Sequence, residues 1–147
     1  MKRAQKSEYG LLALLELARD YGQGPLQSAV IAGRRAIPAQ YLQQILIDLR
    51  HAGLISSGRG PRGGHELARP PEEITLLEAI EALEGSTAPM ECIRPGVQPG
   101  CPQRGHCVLA DVWRRVDEAT QGILRQVTLA GLARQEEARD AAPMYYI

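Results

Sequence analysis

The sequence predicts a mainly α-helical fold that contains one short β hairpin, and three stretches lead to this prediction. Residues 38–52 place apolar side chains at three- and four-residue steps, the pattern of an amphipathic helix. Residues 54–67 read as two short strands around a glycine-rich turn. Residues 107–140 carry a long apolar seam that predicts a further helix. A helix pair followed directly by a hairpin is the order of a winged helix-turn-helix with a small two-stranded β wing.

The helix over residues 38–52 has recognisable ends. Pro38 suits the first turn of a helix, where a missing N–H costs nothing, and Gly53 supplies a C-terminal stop. Its apolar stripe consists of Tyr41, Leu42, Ile45, Leu46 and Leu49. The turn that follows carries Arg59 and Arg62 between its glycines. A helix that exposes polar residues beside a basic hairpin predicts a DNA-binding surface.

The remaining elements complete the prediction. A helix with Ser7 as its N-cap comes first and ends near Tyr21. A short helix over residues 26–35 follows, and another short helix over residues 75–84 comes after the hairpin. The predicted organisation is a winged helix-turn-helix DNA-binding domain (1–84), a cysteine-bearing sensor loop (85–106), a dimerisation helix (107–140) and a tail (141–147).

The helix over residues 107–140 is long for a small domain, and its apolar stripe needs a partner. The seam consists of Val112, Val116, Ala119, Ile123, Val127 and Ala130. In a protein that reads DNA, the economical partner is the same helix of a second subunit, which gives a twofold dimer. The alternative is that this helix packs back on its own domain.

Charge is distributed unevenly along a chain whose net charge is zero. Residues 31–69 hold six arginines and two acidic residues, whereas residues 70–91 hold six glutamates and no basic residue. A modest basic patch on a neutral protein favours sequence-specific DNA binding over bulk electrostatic binding. No apolar run approaches the roughly 20 residues that span a membrane. We therefore expect a cytoplasmic protein without a membrane partner.

Three cysteines lie close together in a glycine- and proline-rich stretch. Cys92 and Cys101 are separated by eight residues, and Cys101 and Cys107 by five. An odd number of thiols in a cytoplasmic chain disfavours a structural disulfide. Three thiolates in such a loop can hold a metal or an iron–sulfur cluster, although the C-x2-C spacing common in structural zinc sites is absent. The alternative is three unligated thiols that act as redox switches or have no role.

A tetrahedral ligand set needs a fourth side chain beside the cysteines. Nearby candidates are His106, Glu91 and Asp111, and Glu8 could reach the site from elsewhere in the fold or from a partner chain. The sequence offers no convincing nucleophile–base pair or paired catalytic carboxylates. The segment GRGPRGG lacks the lysine and hydroxyl of a phosphate loop. We therefore predict a protein that is not an enzyme.

Several segments together resemble the bacterial winged-helix repressors of the IscR, NsrR and CymR type. This family includes iron–sulfur cluster regulators, nitric-oxide-sensing repressors and regulators of cysteine metabolism. The resemblance covers nearly the whole chain and lies in SEYGLLALLELA (7–18), IPAQYLQQIL (37–46), the stretch from residue 49 to residue 85 and the three-cysteine loop that leads to Trp113. Its most specific piece is the wing sequence RGPRGG.

This resemblance implies a homodimer with crossed long helices that binds a palindromic DNA operator. Recognition contacts would fall on Gln40, Tyr41 and Gln43. Arg59 of the wing would enter the minor groove, where narrow A·T-rich tracts attract arginine, and Arg62 would add a phosphate contact. The predicted DNA contacts also include Ser28, Pro38 and Arg50.

Family members with three cysteines commonly hold a 2Fe–2S or 4Fe–4S cluster whose loss changes DNA affinity. We expect an iron–sulfur cluster, 2Fe–2S rather than 4Fe–4S, on Cys92, Cys101 and Cys107. The chain departs from the family where its first two cysteines are further apart, and where Ala110 replaces the histidine ligand of some members. Some relatives use an acidic residue of the opposite subunit, so Glu8 is the preferred fourth ligand and His106 the second.

The expected function is therefore that of a dimeric transcription repressor whose operator affinity is set by an iron–sulfur cluster. The alternative is a cluster-free thiol sensor that binds DNA through the same surface or binds a partner protein.

Overall fold

The computed structural model describes residues 4–96, 101–103 and 105–142. The described residues form six α-helices, one two-stranded antiparallel sheet and two short 3-10 turns, the latter at Pro71–Glu73 and Glu91–Ile93. The elements are α1 (Gln5–Arg19), α2 (Ser28–Arg35), α3 (Ala39–His51), β1 (Ile55–Gly58), β2 (Gly64–Leu67), α4 (Leu76–Glu84), α5 (Val108–Arg125) and α6 (Leu129–Ala141). The predicted mainly α-helical fold with a two-stranded wing is confirmed.

Helix α3 has the amphipathic character that its sequence predicts. Its inner face consists of Leu42, Ile45, Leu46 and Leu49, each at most 2% exposed. These side chains pack in one core with α1, α2, the strands and α6. Gln40, Gln43 and Gln44 lie on the outer face and are exposed. The core therefore holds α3 so that its polar face points to solvent.

The wing is attached to the segment that precedes α2. Strands β1 and β2 pair with Ile55 opposite Leu67. The backbone N–H of Leu26 donates to the carbonyl of His65 at 2.9 Å, and the N–H of His65 donates to the carbonyl of Leu26 at 2.7 Å. Gly64 has φ = 148°, and a Cβ there would lie 2.6 Å from the Leu26 carbonyl oxygen. Only glycine allows this close approach.

Helix α1 begins at Gln5, two residues before the predicted start at Ser7. Ser7 is 2% exposed, and its hydroxyl donates to Oε1 of Glu84 at 2.5 Å. Its role is thus to connect α1 to the end of α4. A serine that points into the protein cannot be distinguished from a helix cap by sequence alone, because both favour a small polar side chain near a helix start.

The predicted single helix over residues 107–140 is wrong, because the structure divides this stretch into α5 and α6. The chain between them pairs with the segment before α4. Leu76 N–H donates to the carbonyl of Val127 at 2.8 Å, and Leu129 N–H donates to that of Ile74 at 2.9 Å. Residues 126–128 therefore lie outside both helices, and Thr128 is extended. Helix α6 packs against α1 and buries Leu129 and Ala133 in the core, so this part of the stretch follows the alternative of packing back on its own domain.

Each of the two paired segments contains a threonine that caps the start of the next helix. Thr75 forms a capping box with Glu78 at the start of α4, and Thr128 accepts a hydrogen bond from Gly131 N–H at 3.1 Å at the start of α6. The sequences ITL (74–76) and VTL (127–129) are therefore equivalent structural signals.

Replacing Thr128 by alanine should destabilise the protein by about 1 kcal/mol, because the first turn of α6 loses its cap. Urea unfolding at fixed protein concentration measures this change. Thr120→Ala is the control: Thr120 lies inside α5 and its hydroxyl only donates to the Val116 carbonyl of the same helix. A loss for Thr120→Ala as large as that for Thr128→Ala would contradict the capping role.

None of the helices in the described part of the chain is long and apolar enough to cross a membrane. The predicted tail (141–147) lies outside the described residues from residue 143 onward.

Candidate functional site

The outer face of α3 presents three glutamine side chains with different surroundings. Gln43 Nε2 donates to the hydroxyl of Ser28 at 2.9 Å. Gln44 Nε2 donates along the helix to Oδ1 of Asp48 at 3.2 Å, and Asp48 is itself paired with Lys6 of α1 at 2.5 Å. Gln40 is exposed one turn earlier. Two of these amides are thus held by neighbouring side chains.

The predicted contact residues at the start of α3 occupy different positions. Pro38 is the N-cap residue of α3 and is exposed. The ring of Tyr41 packs edge-on against Tyr9 of α1, with ring centroids 5.5 Å apart and an interplanar angle of 81°. Tyr41 is still 39% exposed. It therefore joins α3 to α1 while keeping part of its surface accessible.

The wing presents Arg59 and Arg62 to solvent at its tip, and Arg50 is exposed at the end of α3. Within the described residues none of these three arginines forms an ion pair, whereas the other arginines of residues 31–69 do. Their positive charge is therefore available to a phosphate backbone.

Three of the six arginines in residues 31–69 form ion pairs within the fold and are not free to contact DNA. Arg35 pairs with Glu16 of α1 and with Glu136 of α6, each at 2.5 Å. Arg34 reaches Glu16 and Asp20 of α1 at 3.0 and 3.1 Å. Arg69 pairs with Glu78 at 2.8 Å. The sequence placed a concentration of positive charge on this segment, and the structure shows that three of its six arginines are engaged in ion pairs within the fold.

A shallow groove of about 220 Å³ separates the start of α2 from the wing. Ser28 lies on one side of it and His65 on the other. His65 Nδ1 is 2.7 Å from the Ser57 hydroxyl on the opposite strand. Burial lowers the pKa of His65 below its usual value, and the positive charge of Arg50 lowers this pKa further. The imidazole is therefore neutral near pH 7.

The three cysteines line one cavity of about 60 Å³ at the first turn of α5. Cys92 belongs to the turn Glu91–Ile93, Cys107 is the N-cap residue of α5, and Cys101 is exposed between them. All three are free thiols. Among the described side chains, no group of three or more His, Cys, Asp or Glu residues is arranged to hold a metal ion.

The candidate fourth ligands lie at different distances from this cavity. His106 lines a neighbouring cavity that also includes Cys107 and Arg114. Glu91 and Asp111 are exposed and pair with Arg94 and Arg114 at 3.3 and 2.7 Å. Glu8 lies on α1, beside a groove formed with α6 and outside the cysteine cavity of its own subunit.

Helix α5 turns an apolar face away from its own domain. Val108, Leu109, Val112 and Ile123 are between 50% and 75% exposed. On the opposite side of the helix, Asp117 accepts a hydrogen bond from the buried Thr87 at 2.7 Å. An amphipathic helix on a monomer normally buries its apolar side, so this arrangement indicates a partner surface.

A second apolar surface lies between α1, α6 and the start of α4. It is a groove of about 540 Å³ whose wall includes Tyr9, Leu12, Leu15, Leu76, Leu129 and Leu132. No local sequence pattern indicated this groove, because its wall combines residues more than 100 positions apart.

Known proteins share this sequence along nearly its whole length. The chain matches the Rrf2 family, described as an iron-dependent transcriptional regulator, over residues 3–135. It is 34% identical to the HTH-type transcriptional regulator CymR of Bacillus subtilis (strain 168) over 147 residues, 100% of both chains. It is 33% identical to the HTH-type transcriptional regulator IscR of Klebsiella pneumoniae (strain 342), covering 97% of this chain and 85% of IscR.

Solved structures agree with these relationships. The structure of CymR, the global cysteine regulator of B. subtilis, superposes with a TM-score of 0.75 at 33% identity, over 92% of this chain and 98% of CymR. T. potens IscR superposes with a TM-score of 0.78 at 32% identity, over 99% and 95% of the two chains. These superpositions confirm the prediction of a winged helix-turn-helix fold. The relatives are named as transcriptional regulators, which confirms the prediction of a protein that is not an enzyme. The chain therefore belongs to the Rrf2 family of transcriptional regulators.

Proposed function

We propose that two copies of this chain form a repressor that binds a palindromic DNA operator, and that an iron–sulfur cluster on its cysteines sets the operator affinity. The observation that carries the sensing part is the position of Cys92, Cys101 and Cys107 around one cavity at the start of α5. The family membership supports the regulatory part.

The proposed DNA surface combines α3, the start of α2 and the wing. Gln40, Tyr41 and Gln43 of the exposed face of α3 lie in the major groove, which admits a helix. Arg59 reaches the minor groove. Ser28, Pro38, Arg50 and Arg62 surround these residues and contact the phosphate backbone.

The proposed dimer uses the two apolar surfaces described above. In a twofold dimer, the exposed face of α5 from one subunit packs into the α1–α6 groove of the other, and the reverse contact follows by symmetry. This arrangement buries Val112 and Ile123 together with the leucines of the groove. It also explains why the outward side of α5 is apolar.

The three free thiols around one cavity are the donor type that iron–sulfur clusters use, since thiolates are the usual ligands of such clusters. The described side chains are not yet arranged to hold a metal ion, so the proposal rests on the chemistry of the donors and on their shared cavity. When bound, the cluster supplies iron–thiolate bonds that an oxidant or nitric oxide can break. We place the fourth ligand on Glu8 of the partner subunit, because Glu8 is exposed beside the groove that receives the partner's α5. His106 is the second candidate.

The residues around the cysteines connect the site to the DNA-binding part of the chain. Asp117 of α5 accepts a hydrogen bond from the Thr87 hydroxyl at 2.7 Å, and Gln121 of α5 donates to the same hydroxyl at 3.3 Å. These two bonds attach the loop after α4 to α5. Helix α4 packs against α1 and α3 as well as against α5. We propose that ordering of the cysteine loop orients α5, and that α5 sets the relative position of the two α3 helices on DNA.

Anaerobic purification with iron and sulfide analysis tests this proposal. We expect iron and acid-labile sulfide in equal amounts, near two of each per subunit, together with visible absorption. Cys92→Ala, Cys101→Ala and Cys107→Ala should each abolish the cluster. Glu8→Ala should lower its retention more than His106→Ala. Colourless protein that lacks iron after anaerobic purification would exclude the cluster.

A second function is supported by the exposure of Cys101. The crystal structure of the oxidised form of Staphylococcus aureus CymR is 34% identical to this chain and superposes with a TM-score of 0.70. The chain would then be a cluster-free sensor whose thiols are oxidised reversibly, and it would bind DNA through the same surface or bind a partner protein. Colourless protein with a DNA affinity that falls on oxidation and recovers on reduction would support this alternative.

Arg59→Ala should weaken specific DNA binding by on the order of 1–3 kcal/mol. Fluorescence anisotropy with a selected palindromic duplex measures the change. Arg134→Ala is the matched control, because it removes one positive charge from an exposed position on α6, away from the wing. Equal affinities of Arg59→Ala and wild type would exclude the minor-groove role of the wing.

A further inference from the structure

We propose that Gln43 reads an adenine base in each half of the operator, and that Ser28 is the positioning residue that holds the Gln43 amide for this contact. The inference rests on the proposed DNA-binding function and assigns the base to one side chain. The observation that carries it is the hydrogen bond from Gln43 Nε2 to Ser28 Oγ, 2.9 Å long, between α3 and α2.

Both ends of this hydrogen bond are placed by the fold. Ser28 is the first residue of α2 and is half-buried beside the wing groove. Gln43 lies between the buried Leu42 and Ile45, so its backbone is fixed while its side chain is exposed. The bond joins residues 15 positions apart and crosses from one helix of the pair to the other. A long side chain held in this way loses less rotamer freedom when it binds DNA.

The amide group of Gln43 keeps the chemical pattern that adenine needs. Nε2 carries two hydrogens and Oε1 is an acceptor. One hydrogen is donated to Ser28, which leaves one donor and one acceptor. Adenine presents an acceptor (N7) and a donor (N6) side by side in the major groove, and glutamine binds both. Guanine presents two acceptors there and suits arginine instead.

The other two glutamines of this face lack the same support. The Gln44 amide is turned along the helix to Asp48. For Gln40 the described residues provide no side-chain hydrogen bond. The structure therefore singles out Gln43 as the preorganised reader among three glutamines of the same face.

Selection from a pool of duplexes with a randomised central region tests the inference, with the full-length protein purified anaerobically. Binding is then measured for the selected duplex and for its three variants at each position. Wild type should prefer adenine at one position of each half-site by about 5- to 150-fold. Gln43→Ala should remove this preference at that position and leave the others.

Ser28 variants separate positioning from other roles. Ser28→Ala should lower the ratio of the affinities for duplexes with and without the adenine by about two- to tenfold, the value of one hydrogen bond. Loss of the proposed Ser28 phosphate contact weakens all duplexes alike and leaves this ratio unchanged. Ser28→Thr keeps the hydroxyl and should restore the preference. The double variant Ser28→Ala/Gln43→Ala should show the same base preference as Gln43→Ala alone, because residues that act together are not additive.

Other outcomes would overturn the inference. If Ser28→Ala weakens binding to all duplexes equally, Ser28 only contacts phosphate. If Gln43→Ala leaves every base preference unchanged, Gln43 does not read the sequence; the proposed operator binding would still stand in both cases. If wild type selects no sequence at all, the inference and the proposed function both fail.

Discussion

Replacing Val112 by lysine is expected to convert the dimer into monomers and to lower the apparent affinity for a palindromic operator by about 100-fold or more. Val112 is 50% exposed at the centre of the apolar face of α5. In the proposed dimer, a lysine there would place an unpaired charge in an apolar groove, at a high desolvation cost. Two linked DNA-binding domains gain about 10²–10⁴ in affinity over one, and a monomer loses this gain. Light scattering and anisotropy on the same samples measure both effects.

Glu118→Lys is the control for this prediction. It introduces the same side chain on the same helix, but Glu118 is exposed and lies about a third of a turn away from Val112. The variant should remain dimeric and should bind the duplex as wild type does. A dimeric Val112→Lys protein, or monomers formed equally by both variants, would show that the apolar face of α5 is not the interface.

The elements that the sequence predicted best are those determined by local patterns. The apolar stripe predicts helix α3, because the side chains of the stripe are the ones that the helix buries. The glycine-rich turn predicts the wing, because the turn needs backbone conformations that glycine adopts easily. The cysteines were predicted to act together, and the structure places them around one cavity. Cys92 and Cys107 are close in the sequence, so the short chain between them is enough to explain why the cysteines lie near one another.

The elements that the sequence did not predict depend on distant partners. The break between α5 and α6 arises because residues 127–129 pair with residues 74–76. A helical pattern continues through Val127 and Ala130, so periodicity alone favours one helix. Thr128 was a readable signal, since threonine is a preferred N-cap residue. The α1–α6 groove had no such signal, because its two walls come from opposite ends of the chain.

The two arginines of α2 show the same limit in the electrostatics. Arg34 and Arg35 are adjacent, and sequence reasoning assigned their charge to the DNA surface. Their acidic partners, Glu16 and Glu136, lie 18 and 101 residues from the arginines that bind them. Charge along a sequence therefore indicates which groups are present, and only the fold shows which of them remain available to DNA.

Arg35→Met is expected to destabilise the protein by about 3 kcal/mol. The Arg35 side chain is 11% exposed, and it joins Glu16 of α1 to Glu136 of α6 at 2.5 Å each. Removing it leaves the Glu16 carboxylate, 9% exposed, without its closest partner. Only the exposed Arg34 then remains to pair with this carboxylate, at 3.0 Å, and a buried charge that loses its buried partner costs more than an exposed pair contributes. Thermal unfolding at fixed protein concentration should show a fall in Tm of roughly 6–12 °C for a chain of this size.

Arg34→Met provides the matched control, because Arg34 also binds Glu16 but its side chain is 49% exposed. Water screens the ion pairs of this exposed side chain, so they contribute little and the change in stability should be much smaller. Combining Arg35→Met with Glu136→Gln should cost less than the sum of the two single changes, because both remove the same contact between α2 and α6. Equal losses for Arg34→Met and Arg35→Met would show that burial does not distinguish the two. The ordering expected here would establish that α6, far from α2 in the sequence, helps to hold the helix pair that faces DNA.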